Sequence, residues 1–292
     1  MALYYLGLAA CSFFNTFSGV RYSRTTNTVF SLAIFSCITC TIASLFFLIL
    51  TGFHPVFNGV TTIYALIFAA ICLVSQYTGI AIFRYADIVG SGIVRGGASL
   101  LLTCLLGITV FGEEFNGFVG ARIACRLGAS ILVLLQQRHA NVRKCTTIGW
   151  IISAFMVING VASTLITKLY ATDTRVTDEN SYFLLTNLFC LIVSLVVALA
   201  SRRGRMADCV EEVRRIRPKQ YGYIVMNTLS SNVSSLLTVA ILSTGDIVFH
   251  TPLSGAIGFL ITQVIAVFIE KERFSPLPVA LALAATILSF WG

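Results

Sequence analysis

Carboxylates are scarce in this 292-residue sequence: twelve Asp and Glu stand against twenty Lys and Arg, and charged residues make up only 11% of the chain. All twelve acids, Asp87, Glu113, Glu114, Asp246, Glu270 and Glu272 among them, fall in loops or at the ends of apolar runs. No carboxylate is therefore expected at mid-membrane depth, which disfavours proton exchange through an embedded Glu. Facilitated diffusion, exchange, or coupling through His250 stay open. The three His (His54, His139, His250) lie in separate segments, whereas a membrane-embedded enzyme gathers acids, His or Cys at one depth. The chain is thus not expected to be an enzyme. The nucleotide-binding pattern GxxxxGK[ST] is missing. The first twenty residues lack the basic n-region of a signal peptide, and the apolar stretch before Leu8-Ala9-Ala10-Cys11 is too short for a lipoprotein signal. The nine Cys are scattered, mostly inside apolar runs, and the CxxC of Cys37 and Cys40 has no second ligand pair. Free buried thiols are expected, with no metal and no cofactor.

What is present is apolar: 57% of the residues are hydrophobic and the mean hydropathy is +0.89. Such a chain cannot bury its apolar surface in one soluble core, so it reads as an integral membrane protein. Of its twenty basic residues, seven lie between Arg202 and Lys219 beside apolar runs. Membrane orientation accounts for the net charge of +8 without a nucleic-acid partner.

One stretch is written twice. Asp87 to Phe115 returns 159 positions later as Asp246 to Phe274, with eight of twenty-nine positions identical and no gap. Each copy holds an apolar run of about twenty-two residues, enough to cross roughly 30 Å of hydrocarbon at about 1.5 Å per residue. Apolar runs elsewhere bring the spans to ten: about 3–20, 28–50, 60–83, 88–110, 118–135, 148–170, 182–200, 223–242, 247–269 and 277–291. The repeat divides these into residues 1–137, a linker at 138–147, and residues 148–292. Five spans per half is an odd number, so the second half enters the membrane inverted. Loops after odd-numbered spans carry fifteen Lys and Arg against two on the other face, which puts the loop 201–221 in the cytoplasm and both termini outside. Within that loop Met206, Val210, Val213 and Ile216 recur at helical spacing, predicting a short helix on the inner membrane surface.

Ten spans in two inverted halves, Gly112-Glu113 closing the fourth span, and a fifth span bearing Gly117, Gly120 and Gly128 resemble the EamA branch of the drug/metabolite transporter superfamily. The proline usual early in that family's fourth helix stands only in the second half, as Pro252 opposite Ile93. The outside termini also differ from the family's common orientation. The resemblance implies a transporter without cofactors, with a central cavity lined by spans 1 to 4 and 6 to 9 and with spans 5 and 10 peripheral. It implies alternating access by rocking of the two halves.

The chain is accordingly expected to be an all-α, multi-pass protein of the cell membrane that moves a small organic or amino-acid-like solute. Its expected partners are that solute and membrane lipids, with a homodimer left open. The alternative is a lipid flippase or a non-transporting membrane partner on the same scaffold, its cavity filled by Tyr4, Tyr5, Phe13, Phe14 or Phe17. Candidate solute-binding residues are polar groups within spans: Asn15 and Asn159 at matching repeat positions, Asn232, and Arg95, with Gln76, Tyr77, His250 and Gln263 as weaker ones. Each Asn can instead be an interhelical tie worth about 1 kcal/mol, and Arg95 can snorkel or pair structurally. Arg122 and Arg126 share a face of span 5 within reach of Glu113 and Glu114 and read as structural. Asp87 and Asp246 are expected to cap the repeated helices, and Gly92, Gly96, Gly255 and Gly258 to give flat packing surfaces.

Overall fold

Long apolar runs without water have one local solution, a helix that satisfies its own backbone. The structure, a computed structural model, describes all residues except 1, 24–27, 86–87, 115–116, 140–145, 202–204, 244, 246, 270–276, 278–279, 282, 285–286 and 288–292. Among the described residues the regular structure is entirely helical. The helices are α1 (Ala2–Ser23), α2 (Val29–Leu50), α3 (Gly59–Tyr85), α4 (Ile88–Phe111), α5 (Gly117–His139), α6 (Thr147–Thr172), α7 (Glu179–Ser201), α8 (Met206–Arg215), α9 (Pro218–Leu242) and α10 (Ile247–Val264), which runs into a π-helical turn, Ile265–Ile269. Six of them, α2, α3, α4, α6, α7 and α9, contain stretches long and apolar enough to cross a membrane. Outward faces carry exposed Leu45, Ile49, Ile63, Leu66, Phe155 and Ile192, the surface that a bilayer rather than water would cover. This is the build of an all-α, multi-pass membrane protein.

The helix ends are set by short polar signals. Thr28 and Ser31 form a reciprocal capping box at α2, Asn58 Oδ1 accepts from Thr61 N–H (2.7 Å) at α3, and Thr146 caps α6 through Gly149 N–H (3.1 Å). Asp178 does the same for α7, accepting from Ser181 N–H at 2.9 Å. Gly112 ends α4 with φ +66°, a left-handed conformation that turns Glu113 N–H back to Gly107 O at 3.1 Å. The expected caps Asp87 and Asp246 lie outside the described residues. So does the span 277–291, apart from isolated helical positions.

Within the bundle α1 packs on α9, α2 on α7, α3 on α6 and α4 on α10, while α5 lies against α4. The expected short helix in the basic loop is α8. Its Cys209, Val213 and Ile216 pack with Phe30, Ala33, Ile34 and Ala198, whereas Met206 and Val210 stay exposed. The α9 helix starts five residues before the expected Tyr223, because Pro218 supplies the first helical turn and Gln220 Oε1 accepts from Arg217 N–H at 2.7 Å.

The glycine expectation needs correction. Gly258 does pack, a Cβ there standing 3.7 Å from Ser12 Oγ of α1, but Gly96 and Gly255 meet nothing within 4 Å of a Cβ, and Gly92 falls outside the described side chains. The close approach belongs to Gly97, where a Cβ would stand 3.3 Å from Arg126 O and against Ser130 Oγ of α5. The packing face is thus rotated one residue from the expected one. Gly97→Ala is expected to destabilise the detergent-solubilised protein by about 1–3 kcal/mol through overpacking, while Gly96→Ala stays near neutral. Paired thermal melts check this, and equal effects would refute the assignment.

Candidate functional site

A polar stripe on α9 starts the site. Asn227, Ser231 and Ser235 recur at i, i+4 and i+8 and so share one face of the helix. That face meets α1, where Asn227 Nδ2 donates to Asn15 Oδ1 (2.5 Å) and to Asn15 O (3.2 Å). On the opposite side of the bundle Asn159 Nδ2, from α6, donates to Ser75 Oγ (2.5 Å) and Ile71 O (2.8 Å) of α3. Between these two ties lies a cavity of about 340 Å³. Asn15, Gln76, Asn187, Asn227 and Asn232 give it five carboxamides, and Phe35, Phe68 and Phe183 give it aromatic walls. No Asp, Glu, Lys, Arg or His lines it among the described residues. Gly19 of α1 and Gly79 of α3 lie at its margin, so it extends from mid-bundle toward the end that carries α8.

A smaller cavity of about 150 Å³ shares Asn15, Phe68, Phe183, Ser231 and Ser235 with the first and adds Ser163, Thr167 and Thr238 toward the other end. The polar route closes there. Tyr170 and Tyr182 stack at 4.0 Å between ring centroids, and Phe47 stacks on Phe183 at 5.2 Å, inside one buried aromatic cluster. Above it the segment 173–178 is tied to the 51–58 loop and the start of α3. Thr177 N–H donates to Thr61 Oγ1 (2.9 Å), Asn58 Nδ2 to Arg175 O (2.7 Å) and Val56 N–H to Ser181 Oγ (2.9 Å). Tyr64 OH donates to Asp173 Oδ2 (3.3 Å), and Arg175 grips the same carboxylate at 2.8–2.9 Å.

Beside this closure two charges clamp the turn between α9 and α10. Lys168 Nζ, buried on α6, donates to Leu242 O (3.2 Å) and Gly245 O (2.5 Å) at the carbonyl end of α9. Glu113 Oε1 accepts from Ile247 N–H (2.9 Å) at the start of α10. Each charge complements the helix end it touches. Arg126, buried on α5, donates to Gly255 O of α10 at 2.9 Å, so its reach extends past the Glu113 turn.

Three of the eight sequence candidates, Asn15, Gln76 and Asn232, line the larger cavity. Asn159 stands behind its wall, bonded to the lining residue Ser75. Arg95 reaches the lining residue Met156, Nη1 to Sδ at 3.1 Å, so Met156 separates the guanidinium from the cavity. Tyr77 packs outside the cavity lining, against the cluster of Tyr22, Leu32, Phe35 and Ile224 and that of Phe30, Ala33, Ile34, Ala198 and Cys209. His250 lies at the far end of the bundle, buried, with Tyr5 OH 3.4 Å from its Nδ1. The side chain of Gln263 lies outside the described ones. Among the aromatics offered as cavity fillers, Phe13, Phe14 and Phe17 pack on one another and, through Phe17, on Tyr223. The eight described Cys are free. Sequence reasoning passed over Asn187 and Asn227; the i, i+4, i+8 recurrence of Asn227, Ser231 and Ser235 within the Ser- and Asn-rich middle of α9 is the signal that would have found Asn227.

No family model matches the chain, and no curated protein does. A solved crystal structure of a protein is similar over 99% of this chain and 96% of its own, at 12% identity and a TM-score of 0.64. That likeness shows a shared fold over the full length of both.

Two expectations follow from the closed end. Arg175 holds the Asp173 carboxyl well below the usual carboxylate range. A depressed carboxylate contributes stability above its unfolded pKa of about 3.9, and the contribution is lost as pH falls through the lower folded value. The melting temperature of the wild type should exceed that of Asp173→Asn by a constant small margin above about pH 5, and the margin should shrink below about pH 4. A margin that grows on acidification would refute the arrangement. Lys168→Met should cost about 1–2 kcal/mol, because the α9 carbonyls lose their cation, as read from thermal melts; an unchanged melting point would refute the clamp.

Proposed function

We propose that this chain is a secondary transporter of a small organic solute, built in the manner of the EamA branch of the drug/metabolite transporters and working in the cell membrane. In this reading ten spans form two inverted five-helix halves, residues 1–137 and 148–292. The observation that carries the proposal is the uncharged, amide-rich cavity in the middle of the bundle. Polar side chains at that depth are costly unless they pair or face water, and five carboxamides gathered around one space are more than helix association needs.

The packing supports the two-half reading. Its main neighbour relations, α1–α9 with α6–α3, α1–α10 with α6–α4, and α2–α9 with α7–α3, interchange when α1, α2, α3 and α4 are exchanged for α6, α7, α9 and α10. The α2–α7 and α4–α10 pairs map onto themselves. Two such halves can rock about the shared pairs. The present conformation has the polar cavity extending toward the α8 end, with the aromatic cluster and the Thr61–Thr177 ties closing the other. By the positive-inside count the α8 end is cytoplasmic. Transport then requires the closed end to open while the α8 end closes.

The experiment is a cavity plug. Ser231→Trp places an indole in the space between α9 and α1, while Leu66→Trp puts the same bulk on the outward face of α3. In proteoliposomes, counterflow of a panel of radiolabelled amino acids, sugars and nucleosides should fall at least about tenfold with Ser231→Trp and stay within about twofold with Leu66→Trp, a tenfold loss being about 1.4 kcal/mol of barrier. No flux of any solute by the wild type, or equal flux by both variants, would overturn the proposal.

A further inference from the structure

The hydrogen bonds around the cavity are unequally spent, and what remains selects the ligand. Asn187 donates its Nδ2 to Phe183 O at 2.8 Å and Asn232 donates its Nδ2 to Thr228 O at 2.7 Å, each one turn back on its own helix. Asn227 spends its Nδ2 on Asn15. Contact with a carbonyl fixes which end of each amide is nitrogen, so all three amides turn their Oδ1 away from those bonds. None of these three oxygens accepts a hydrogen bond from any described residue. The Asn15 amide, whose Oδ1 is taken, keeps its Nδ2. Each amide nitrogen carries two hydrogens and each oxygen two lone pairs, so the three free oxygens offer six acceptor sites against four uncommitted N–H, two on Asn15 and one each on Asn187 and Asn232: the wall accepts more than it donates, and does both.

Charge narrows the choice. A ligand rich in donors is either a cation or a neutral molecule with several hydroxyl or amide N–H groups. A cation in a cavity without a carboxylate would be left uncompensated at membrane depth, at a cost of several kcal/mol. The charged groups nearest the route are themselves cationic: Arg95 sits behind Met156, and Lys168 follows Thr167 at the closed end. An anion meets the opposite difficulty, since three amide oxygens face it and Met156 stands between it and the guanidinium.

We infer that the solute taken by this cavity is an electrically neutral, donor-rich molecule of the polyol or monosaccharide kind, held by the Oδ1 acceptors of Asn187, Asn227 and Asn232. The inference rests on the transporter reading above and adds the substrate class. The size agrees: about 340 Å³ corresponds to about eleven waters at about 30 Å³ each, room for one hydroxylated ring or short chain and a few waters. Phe35, Phe68 and Phe183 offer the C–H faces of such a molecule apolar contact.

The test uses the full chain in proteoliposomes and in detergent, with xylitol, sorbitol and glucose as neutral probes free of ionised groups and alanine, a zwitterion, glutamate and lysine as probes that carry them. The neutral probes should enter by saturable counterflow, unaffected by an imposed membrane potential. They should also raise the melting temperature of the wild-type protein, a readout that needs no variant. Asn187→Leu and Asn232→Leu should each raise the half-saturation concentration for the neutral probes about tenfold, as expected for one lost acceptor. Transport of alanine, glutamate or lysine with none of the neutral probes would overturn the substrate class and leave the transporter reading standing. Transport of the neutral probes with unchanged half-saturation in both Leu variants would overturn the assigned acceptors. No plug-sensitive flux of any probe would overturn both readings.

Discussion

A bilayer offers its proteins no water, so each polar group inside it needs a partner from the protein or a place beside an aqueous space. That constraint sorts the side chains of this chain into two populations. Most mid-span hydroxyls return to the carbonyl one turn back, as Thr41, Thr78, Thr103 and Thr164 do. The carboxamides of α1, α3, α7 and α9 converge on one cavity. A dispersed set of amides would only have tied helices together; convergence is what gives the bundle an interior with chemistry.

The same constraint explains why the closed end is closed by rings and loop ties together. Stacked Tyr170 and Tyr182 exclude water across the polar route, but aromatic packing alone has little directional preference. The backbone groups of the 173–178 segment supply the direction, since Thr177 N–H and Arg175 O find partners only on Thr61 and Asn58 across the bundle. Asn58 also caps α3, so loosening the loops disturbs the end of a helix that lines the cavity. Lys168 and Glu113 add a second linkage there, one holding the end of α9 and the other the start of α10.

Helix positions, the basic short helix and the all-α class were legible because hydropathy and charge are summed over many residues, and summation tolerates local error. Individual contacts were less legible. The sequence paired Asn15 with Asn159 by repeat position, yet the two never meet: each bonds the helix it packs against, α9 for Asn15 and α3 for Asn159. Matching positions in a repeated stretch of sequence need not touch. Gly97 in place of Gly96 shows a different limit, for helix rotation by one residue is 100° and hydropathy barely registers it. Asn187 was invisible because only the adjacent Thr186 accompanies it in an apolar run, without the spacing that marks α9.

Arg95 shows how an expensive charge can shape a site that it does not enter. Its guanidinium reaches the sulfur of Met156, and the cavity beyond that methionine is lined by neutral groups alone among the described residues. A thioether is polarizable and flexible, so it shields the cavity from the cation's hydrogen bonds without rigid walls. Arg95 reaches a sulfur on α6, and Lys168 and Arg126 reach backbone oxygens of other segments, so these three positive groups brace the bundle. The cavity is left to amides, hydroxyls, sulfur groups and rings.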